Sequence, residues 1–264
     1  MASPFKENLL DGKVAFIAGG TSGINLGIAK RMAELGAKVA VCGRNPVKAG
    51  NAASEIGYDA LGLSADVRDF GAIRGAMEQT RNQFGPLDIV VSGAAGNFLA
   101  PVLGMSANAF KTVVDIDLLG TFNVFRGCHD LLAVPGAALI AITAGQAVNP
   151  MQMQAHACAA KAGINQLVRV LALEWGGDVR VNGISPGPIE GTEGMARLAP
   201  DPATKAMHFE RIALKRWGFI DEIAEGAVFL CSDAAKYITG TILDIDGGSQ
   251  LGDATQRNVE RGLA

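Results

Sequence analysis

The sequence has few cysteines, and their spacing matches neither a disulfide framework nor a metal site. The four are Cys42, Cys128, Cys158 and Cys231, with no Cys-x-x-Cys pair and no cluster of histidines nearby. Such spacing is typical of reduced thiols in the core of a cytosolic protein. The sequence therefore predicts no disulfide, no metal site and a cytoplasmic location.

An excess of charge of one sign is also missing, as is a long hydrophobic run. The 23 basic and 26 acidic residues are interspersed and give a formal net charge of −3, whereas nucleic acids and anionic membranes attract basic clusters. No run reaches the roughly 18 apolar residues of a membrane span. Residues 1–13 lack the apolar segment of an export signal, and residues 262–264 lack a Ser-Lys-Leu address. We therefore expect a soluble protein that binds a small molecule, and neither nucleic acid nor membrane.

Short apolar runs alternate with longer stretches of helical periodicity along the chain. Strands and helices in strict alternation form right-handed crossovers, which give a parallel sheet with helices on both faces. The 264 residues therefore predict one α/β domain, 1–264, with a doubly wound (Rossmann) sheet of about seven strands. The predicted strands are residues 14–18, 38–42, 60–63, 89–91, 138–142, 180–184 and 242–245.

Two segments depart from this alternation. Residues 186–216 mix glycine, proline and short helical signals, which predicts a lid over an active site rather than a domain boundary. Residues 252–264 are polar. They are compatible with a disordered tail or with an arm that contacts a partner subunit, and both interpretations stay open.

A glycine-rich turn, Gly19-Gly20-Thr21-Ser22-Gly23-Ile24, follows the first predicted strand and precedes a helix predicted over 24–35. Glycine lets the backbone approach a ligand closely, and the N–H groups at a helix start bind the pyrophosphate of a dinucleotide. The turn therefore indicates a dinucleotide site, although an ordinary strand-to-helix turn can have the same composition.

The end of the second predicted strand carries Arg44 and Asn45 and no carboxylate. An acidic residue at this place accepts a hydrogen bond from the ribose hydroxyl of NAD, whereas an arginine meets the phosphate of NADP. The sequence therefore favours NADP(H) over NAD. The alternative is that Arg44 is a solvated charge at a strand end.

With these motifs the chain resembles the short-chain dehydrogenase/reductase family over nearly its whole length. Further matches are Asp66-Val67, Ala94-Ala95-Gly96, Lys161, Pro186-Gly187-Pro188-Ile189 and Asp246-Gly247-Gly248. The resemblance implies that Asp66 accepts from the adenine and that residues 186–192 hold the nicotinamide carboxamide; from the residues alone, Asp66 could equally be a helix cap. The cofactor residues that it implies are Gly19, Thr21, Ser22, Gly23, Ile24, Arg44, Asn45, Asp66, Val67, Ala94, Ala95, Gly96, Lys161, Pro186, Gly187, Ile189 and Thr192.

The chain departs from the family at its usual catalytic serine and tyrosine. Ala144 stands at the serine position and Ala157 at the tyrosine position, while Asp117 replaces the asparagine of the proton relay. The only tyrosines, Tyr58 and Tyr237, belong to other elements. A proton donor contributes about 10²–10⁴ to the rate of carbonyl–alcohol interconversion. Neither alanine can supply that proton.

This variant resembles the peroxisomal type of 2,4-dienoyl-CoA reductase, which also lacks the tyrosine. The agreement extends over residues 94–98, 109–117, 120–124 and 186–194. The resemblance implies hydride addition to a conjugated dienoyl thioester, with Asp117 delivering a proton to carbon and Lys161 holding the cofactor ribose. Asp115 is expected to point elsewhere because it lies two positions away on the same helix.

The same resemblance implies an acyl-CoA substrate, whose phosphates suit arginine. Taken singly, Arg68 and Arg197 are also compatible with solvated charges, and Ser106 with a helix cap. The implied substrate contacts are Arg68, Phe98, Ser106, Asn108 and Arg197.

His156 stands beside the vacant tyrosine position, and a helix neighbour points about 100° away from it. We therefore interpret His156 as a hydrogen-bonded structural side chain or a contact at the substrate rim, and not as a proton donor. The apolar helix over 158–173 is expected to pack against other helices. By the resemblance, such surfaces form a homo-oligomer, a dimer or a tetramer.

Two further departures lie in the cofactor motifs. Asn25 replaces the third glycine of the turn, and Ser92-Gly93 replaces a pair of asparagines. We expect the first to loosen the approach of helix and strand or to reshape the nicotinamide pocket. The second is expected to remove side-chain hydrogen bonds that steady the sheet and the cofactor.

Three functions therefore stay open. The first is NADPH-dependent reduction of 2,4-dienoyl-CoA in the breakdown of unsaturated fatty acids. The second is another reduction in the same family, on a different activated alkene or carbonyl. The third is a non-catalytic NADP-binding protein.

Overall fold

A seven-stranded parallel sheet forms the centre of the computed structural model, which describes residues 4–199, 201–252 and 254. The strand order is β3-β2-β1-β4-β5-β6-β7, so the predicted doubly wound sheet is confirmed. The first and last strands have the predicted bounds, and the others differ by one or two residues at an end. The strands are β1 (Val14–Ala18), β2 (Lys38–Gly43), β3 (Leu61–Ser64), β4 (Ile89–Ser92), β5 (Ala137–Ile142), β6 (Val179–Pro186) and β7 (Ile242–Ile245).

Helices cover both faces of the sheet. The central strands β1, β4 and β5 are almost wholly apolar because each face packs against helices. In β1, Phe16 and Ile17 are both fully buried but belong to different cores. The helices are α1 (Gly23–Glu34), α2 (Pro46–Ile56), α3 (Phe70–Phe84), α4 (Ala107–Val114), α5 (Gly120–Cys128), α6 (Ala155–Trp175), α7 (Glu193–Leu198), α8 (Pro202–Arg211) and α9 (Ile220–Cys231). One core includes residues of α3, α5 and α6, and the other includes residues of α1, α2 and α9.

The strand order reverses between β1 and β4. Ala18 and Ser92, the last residues of these strands, lie side by side in the sheet. The chain then leaves β1 toward one side and β4 toward the other, which opens a crevice at the carboxyl ends of the strands. The glycine-rich turn, residues 19–24, and the run Ala94-Ala95-Gly96 follow these two strands and lie at this crevice.

A π-helical turn, Asp115–Leu119, joins α4 to α5. Such a turn inserts an extra residue into the helical repeat and is frequent at functional sites. Here it contains Asp117, which is 1% exposed. Periodicity in the sequence gave no sign of it.

The segment 186–216 contains α7 and α8, and its Met195 and Ile212 form a small apolar cluster with the adjoining Trp217. Its role as a lid stays a prediction. The predicted tail or arm, 252–264, lies outside the described residues except at 252 and 254. Within the described part of the chain, no helix is long and apolar enough to cross a membrane.

Candidate active site

The glycine turn brings the end of β1 against the loop that follows β4. Gly19 has φ +78°, and a Cβ atom there would lie 2.6 Å from the backbone nitrogen of Ala94. Only glycine fits this conformation and this contact. Ser22 is the N-cap of α1, and its side chain makes no capping hydrogen bond. The backbone N–H groups at the start of α1 are thus placed as a phosphate site requires.

A cavity of about 760 Å³ lies beside this turn, within the size range of ligand sites. Its walls come from the start of α1, the loop after β4, the end of β5, α6 and the segment after β6. The structure therefore fits a dinucleotide at the crevice. The predicted cofactor residues that line the cavity are Ser22, Gly23, Ile24, Ala95, Gly96, Lys161, Pro186, Gly187 and Thr192.

Asp117 and Lys161 form a buried ion pair in the wall of this cavity. The Lys161 Nζ lies 3.3 Å from Asp117 Oδ2 and donates to the carbonyl oxygen of Ile142 at 3.1 Å. The other carboxylate oxygen, Oδ1, accepts from the backbone N–H of Gly96 at 2.7 Å. The carboxylate is thus fixed on both sides. The structure brings together the two predicted catalytic residues, 44 positions apart in the chain.

Ala144 and Ala157 line the same cavity. Asp117 and Lys161 share this lining, whereas the side chains at these two positions carry no hydroxyl group. Asp115 pairs instead with Lys111 on the helix surface, as expected from its position. Among the described residues, no group of three or more histidine, cysteine, aspartate or glutamate side chains could hold a metal ion.

The predicted adenosine end lies at the ends of β2 and β3. Arg44 is exposed directly after β2, and Thr21 lies beside the same strand end. Asn45 is the N-cap of α2, where its Oδ1 accepts from the backbone N–H of Lys48 at 3.0 Å. Val67 is 6% exposed and packs in the core. Of these four predicted cofactor residues, Arg44 is exposed and positively charged, whereas Val67 is buried.

Asp66 and Arg68, predicted for cofactor and substrate respectively, form an ion pair with each other. Arg68 Nη2 donates to Asp66 Oδ2 at 2.6 Å, and Nε also donates to the carboxylate. The guanidinium therefore holds the pKa of Asp66 below its usual value. The N-cap of α3 is Asp69, whose carboxylate accepts from Ala72 N. The alternative interpretation of Asp66 as that cap is wrong.

Of the predicted substrate contacts, Phe98 lines the cavity. Ser106 caps α4 by accepting from Ala109 N at 3.1 Å, and the exposed Asn108 accepts from Thr112 Oγ1 through its backbone oxygen. Arg197 lies in α7, with its side chain outside the described part of the structure. Two other predicted cofactor residues take other places: Ala94 packs against Gly19, and Ile189 is buried.

His156 is fully buried, and neither ring nitrogen has a hydrogen-bond partner among the described residues. Its ring packs on Phe98, with centroids 4.3 Å apart. Burial lowers the pKa of His156, and the charge of Asp117 partly opposes this. His156 is therefore a buried structural side chain, one of the two expected roles, and it is held by packing on Phe98 rather than by a hydrogen bond of ordinary geometry. The physical reason is that the start of α6 turns the imidazole inward beneath Phe98, where it supports the cavity wall.

The two departures in the cofactor motifs compensate each other. The Asn25 amide nitrogen donates to the carbonyl oxygens of Gly93 at 2.8 Å and Gly19 at 3.3 Å. A Cβ atom on Gly93 would lie only 2.2 Å from Asn25 Oδ1. The larger residue at 25 is thus accommodated by glycine at 93, and α1 is linked to the loop after β4 instead of being loosened.

Sequence reasoning missed a cluster of amides between this cavity and a second one of about 410 Å³. Gln154, 3% exposed, accepts through Oε1 from Asn97 at 2.7 Å and from Gln146 at 3.2 Å. The only sequence signal was that Asn97 stands beside Phe98 in a matching segment. All three side chains line both cavities and add polar groups to their shared wall.

Several known proteins are similar to this chain. A family model described as enoyl-(acyl carrier protein) reductase matches residues 18–250. The peroxisomal 2,4-dienoyl-CoA reductase [(3E)-enoyl-CoA-producing] of Rattus norvegicus is 41% identical over 253 residues, covering 94% of this chain and 87% of its own. The probable 2,4-dienoyl-CoA reductase [(2E)-enoyl-CoA-producing] of Bacillus subtilis is 36% identical over 250 residues, covering 92% of this chain and 98% of its own. A solved structure of 3-ketoacyl-(acyl-carrier-protein) reductase from Brucella melitensis complexed with NADH has a TM-score of 0.83 and 29% identity, covering 91% of this chain and 99% of that chain.

Proposed function

The chain belongs to the short-chain dehydrogenase/reductase family of oxidoreductases, and from this premise we propose that it reduces 2,4-dienoyl-CoA thioesters with NADPH. One observation carries the proposal. The buried Asp117–Lys161 pair faces a cavity in which the serine and tyrosine positions are alanines. A reaction whose proton goes to carbon does not need a phenol at a carbonyl oxygen.

The chemistry follows from the polarity of the substrate. The nicotinamide cofactor, when bound, supplies a hydride to the δ-carbon of the dienoyl thioester, which leaves negative charge along the conjugated chain to the thioester oxygen. Lys161 holds a ribose hydroxyl and provides positive potential near this charge, and the Asp117–Lys161 pair is the source of the proton. One hydride and one proton are added, and one carbon–carbon double bond is lost.

The position of protonation determines the product. A proton at the α-carbon gives a 3-enoyl thioester, and one at the γ-carbon gives a 2-enoyl thioester. The names of the rat and Bacillus relatives specify (3E) and (2E) products respectively. We propose the 3-enoyl product, since identity to the rat protein is 41% against 36%.

NADP(H) is the proposed cofactor because Arg44 is an exposed cation at the end of β2, and no carboxylate follows that strand directly. An arginine there suits the 2′-phosphate. The proposed CoA contacts are those expected from the sequence, with residues 186–216 as the lid. We also propose a cytoplasmic homo-oligomer, a dimer or a tetramer.

The test is to mix the protein with a medium-chain trans-2,4-dienoyl-CoA and NADPH, and to follow both the reduced cofactor and the dienoyl absorbance. We expect equal losses of the two, and product analysis by NMR should find the double bond at C3. Binding of NADPH without turnover of this or any other enoyl or carbonyl substrate would instead favour a non-catalytic protein. Turnover of a different alkene or carbonyl alone would indicate another reductase of the family.

A further inference from the structure

Asn25 lies at the point where the crevice for the cofactor opens. It belongs to the first turn of α1, is 8% exposed and lines the cavity. Its amide nitrogen joins two backbone oxygens, one directly after β1 and one directly after β4. These two strands flank the reversal of strand order. One side chain therefore connects both walls of the crevice.

The orientation of this amide follows from its neighbours. The carbonyl oxygens of Gly19 and Gly93 can only accept hydrogen bonds, so the NH₂ group must face them. The Asn25 Oδ1 is left without a partner among the described residues. A buried unpaired oxygen costs free energy. The side chain of Asn25 therefore stabilises the crevice through the two hydrogen bonds of its nitrogen.

Gly93 begins a short loop that reaches the catalytic carboxylate. Its backbone nitrogen donates to Ala18 O at 3.0 Å, and its oxygen is held by Asn25. Three residues later, the N–H of Gly96 donates to Asp117 Oδ1. A shift of this loop would therefore move both the floor of the crevice and a hydrogen bond of Asp117.

We propose that Asn25 is a positioning residue that replaces the side chain missing at residue 93 and holds the loop 93–96 in place for the dinucleotide and for Asp117. The proposal rests on the proposed function insofar as the crevice binds a nicotinamide dinucleotide. The amide that holds this loop thus comes from residue 25 in α1, and not from residue 93 at the end of β4. Residues 25 and 93 then form one unit, in which an amide can stand at either position but not at both.

The test is a double-mutant cycle with three variants: Asn25→Ala, Gly93→Asn and the exchange Asn25→Ala/Gly93→Asn. A Cβ at 93 would lie 2.2–2.5 Å from the end of the Asn25 side chain, so Gly93→Asn alone must displace it. An alanine at 25 removes those atoms. Gly93 does not have a positive φ, so its backbone accepts a side chain.

NADPH affinity is measured by fluorescence titration without substrate. Asn25→Ala removes both hydrogen bonds that hold the walls of the crevice. We expect it to raise the Kd about three- to tenfold, and Gly93→Asn to raise it at least as much. The exchange variant should recover most of the affinity. Adenosine 2′,5′-bisphosphate, which represents the far half of the cofactor, should bind all variants equally.

Ile28→Val is the matched control, because Ile28 is a fully buried residue of the same helix. It should lower the melting temperature and leave the NADPH Kd unchanged. The inference is overturned if Asn25→Ala binds NADPH as wild type does, if the exchange variant recovers nothing, or if Ile28→Val weakens NADPH equally. A wild-type protein that binds neither NADPH nor NADH would overturn the proposed function and this inference together. NADPH binding by wild type with any of the first three results would overturn the inference alone.

Discussion

At the scale of the residue, the Asp117 carboxylate has a defined orientation because different donors hold its two oxygens. Replacing Asp117 with asparagine keeps the size and an oxygen for the Gly96 N–H, but removes the group that transfers a proton. We expect kcat for dienoyl-CoA to fall about 10²–10⁴-fold, the usual contribution of a general acid, with NADPH affinity changed little. Steady-state kinetics and a binding titration measure the two effects.

Asp115 provides the control for this experiment. It lies in the same π-helical turn but pairs with Lys111 at the surface. Asp115→Asn should therefore keep wild-type turnover. Equal losses of kcat in the two variants would mean that turnover depends on the structure of the turn and not on the Asp117 carboxylate.

Arg44 gives a second prediction at this scale. Its guanidinium is exposed at the end of β2, where a charge-assisted contact to the 2′-phosphate contributes about 1.5–3 kcal/mol. Arg44→Ala should therefore raise the Kd of NADPH about 10–150-fold and change that of NADH much less. Titrations with both cofactors test this, with Lys48→Ala as a nearby exposed control. Equal losses for both cofactors would refute a role for Arg44 in selecting NADP.

At the scale of the element, ion pairs connect helices that are distant in the sequence. Arg74 of α3 donates to Asp130, just after α5, at 2.9 Å, and its guanidinium lowers the pKa of Asp130 to about 2. Because the folded-state pKa lies below the value of 3.8 that aspartate has in an unfolded chain, the pair stabilises the fold fully above about pH 4. That stabilisation is lost progressively as the pH falls from about 4 through the folded-state pKa of about 2.

Asp130→Asn tests this link. The variant should be less stable than wild type at pH 6–7 by less than about 1 kcal/mol, because the side chain is 60% exposed. The difference should shrink below pH 4 and disappear only below pH 2. Urea unfolding across this pH range measures it, and 1 M salt should reduce it at neutral pH. A difference that stays constant with pH would mean that packing, not charge, is responsible.

At the scale of the whole molecule, α6 presents apolar side chains to solvent. Leu173 is 88% exposed and Val170 40%. If this face joins subunits, light scattering of the purified protein should give a mass of two or four times 27.3 kDa. Leu173→Glu should shift the protein to smaller species, because a charge in an apolar interface loses its hydration.

Val47 serves as the control for this experiment, since it is 69% exposed on α2. Val47→Glu should leave the assembly unchanged. A monomeric wild-type protein, or a Leu173→Glu protein with an unchanged mass, would contradict an interface at α6.

The cytoplasmic location stays a prediction.

The sequence by itself determined the sheet, the crevice and the missing phenol. Strands covered by helices on both faces are mostly apolar, so β1 to β7 could be found within one or two residues at each end. Gly19 predicted a close backbone contact. An alanine at position 157 excludes a hydroxyl group there, whatever the geometry of the site. These properties depend on residue type and local spacing alone.

Only the tertiary structure decided which distant side chains meet. The Asp117–Lys161 distance, the burial of His156 beneath Phe98 and the bridge from Asn25 to Gly93 each depend on how a helix lies on the sheet. The sequence-based expectation that Asn25 loosens this region was wrong for that reason. From the sequence, Gly93 was only a position without a side chain. The folded chain places Asn25 in the space that this glycine leaves open.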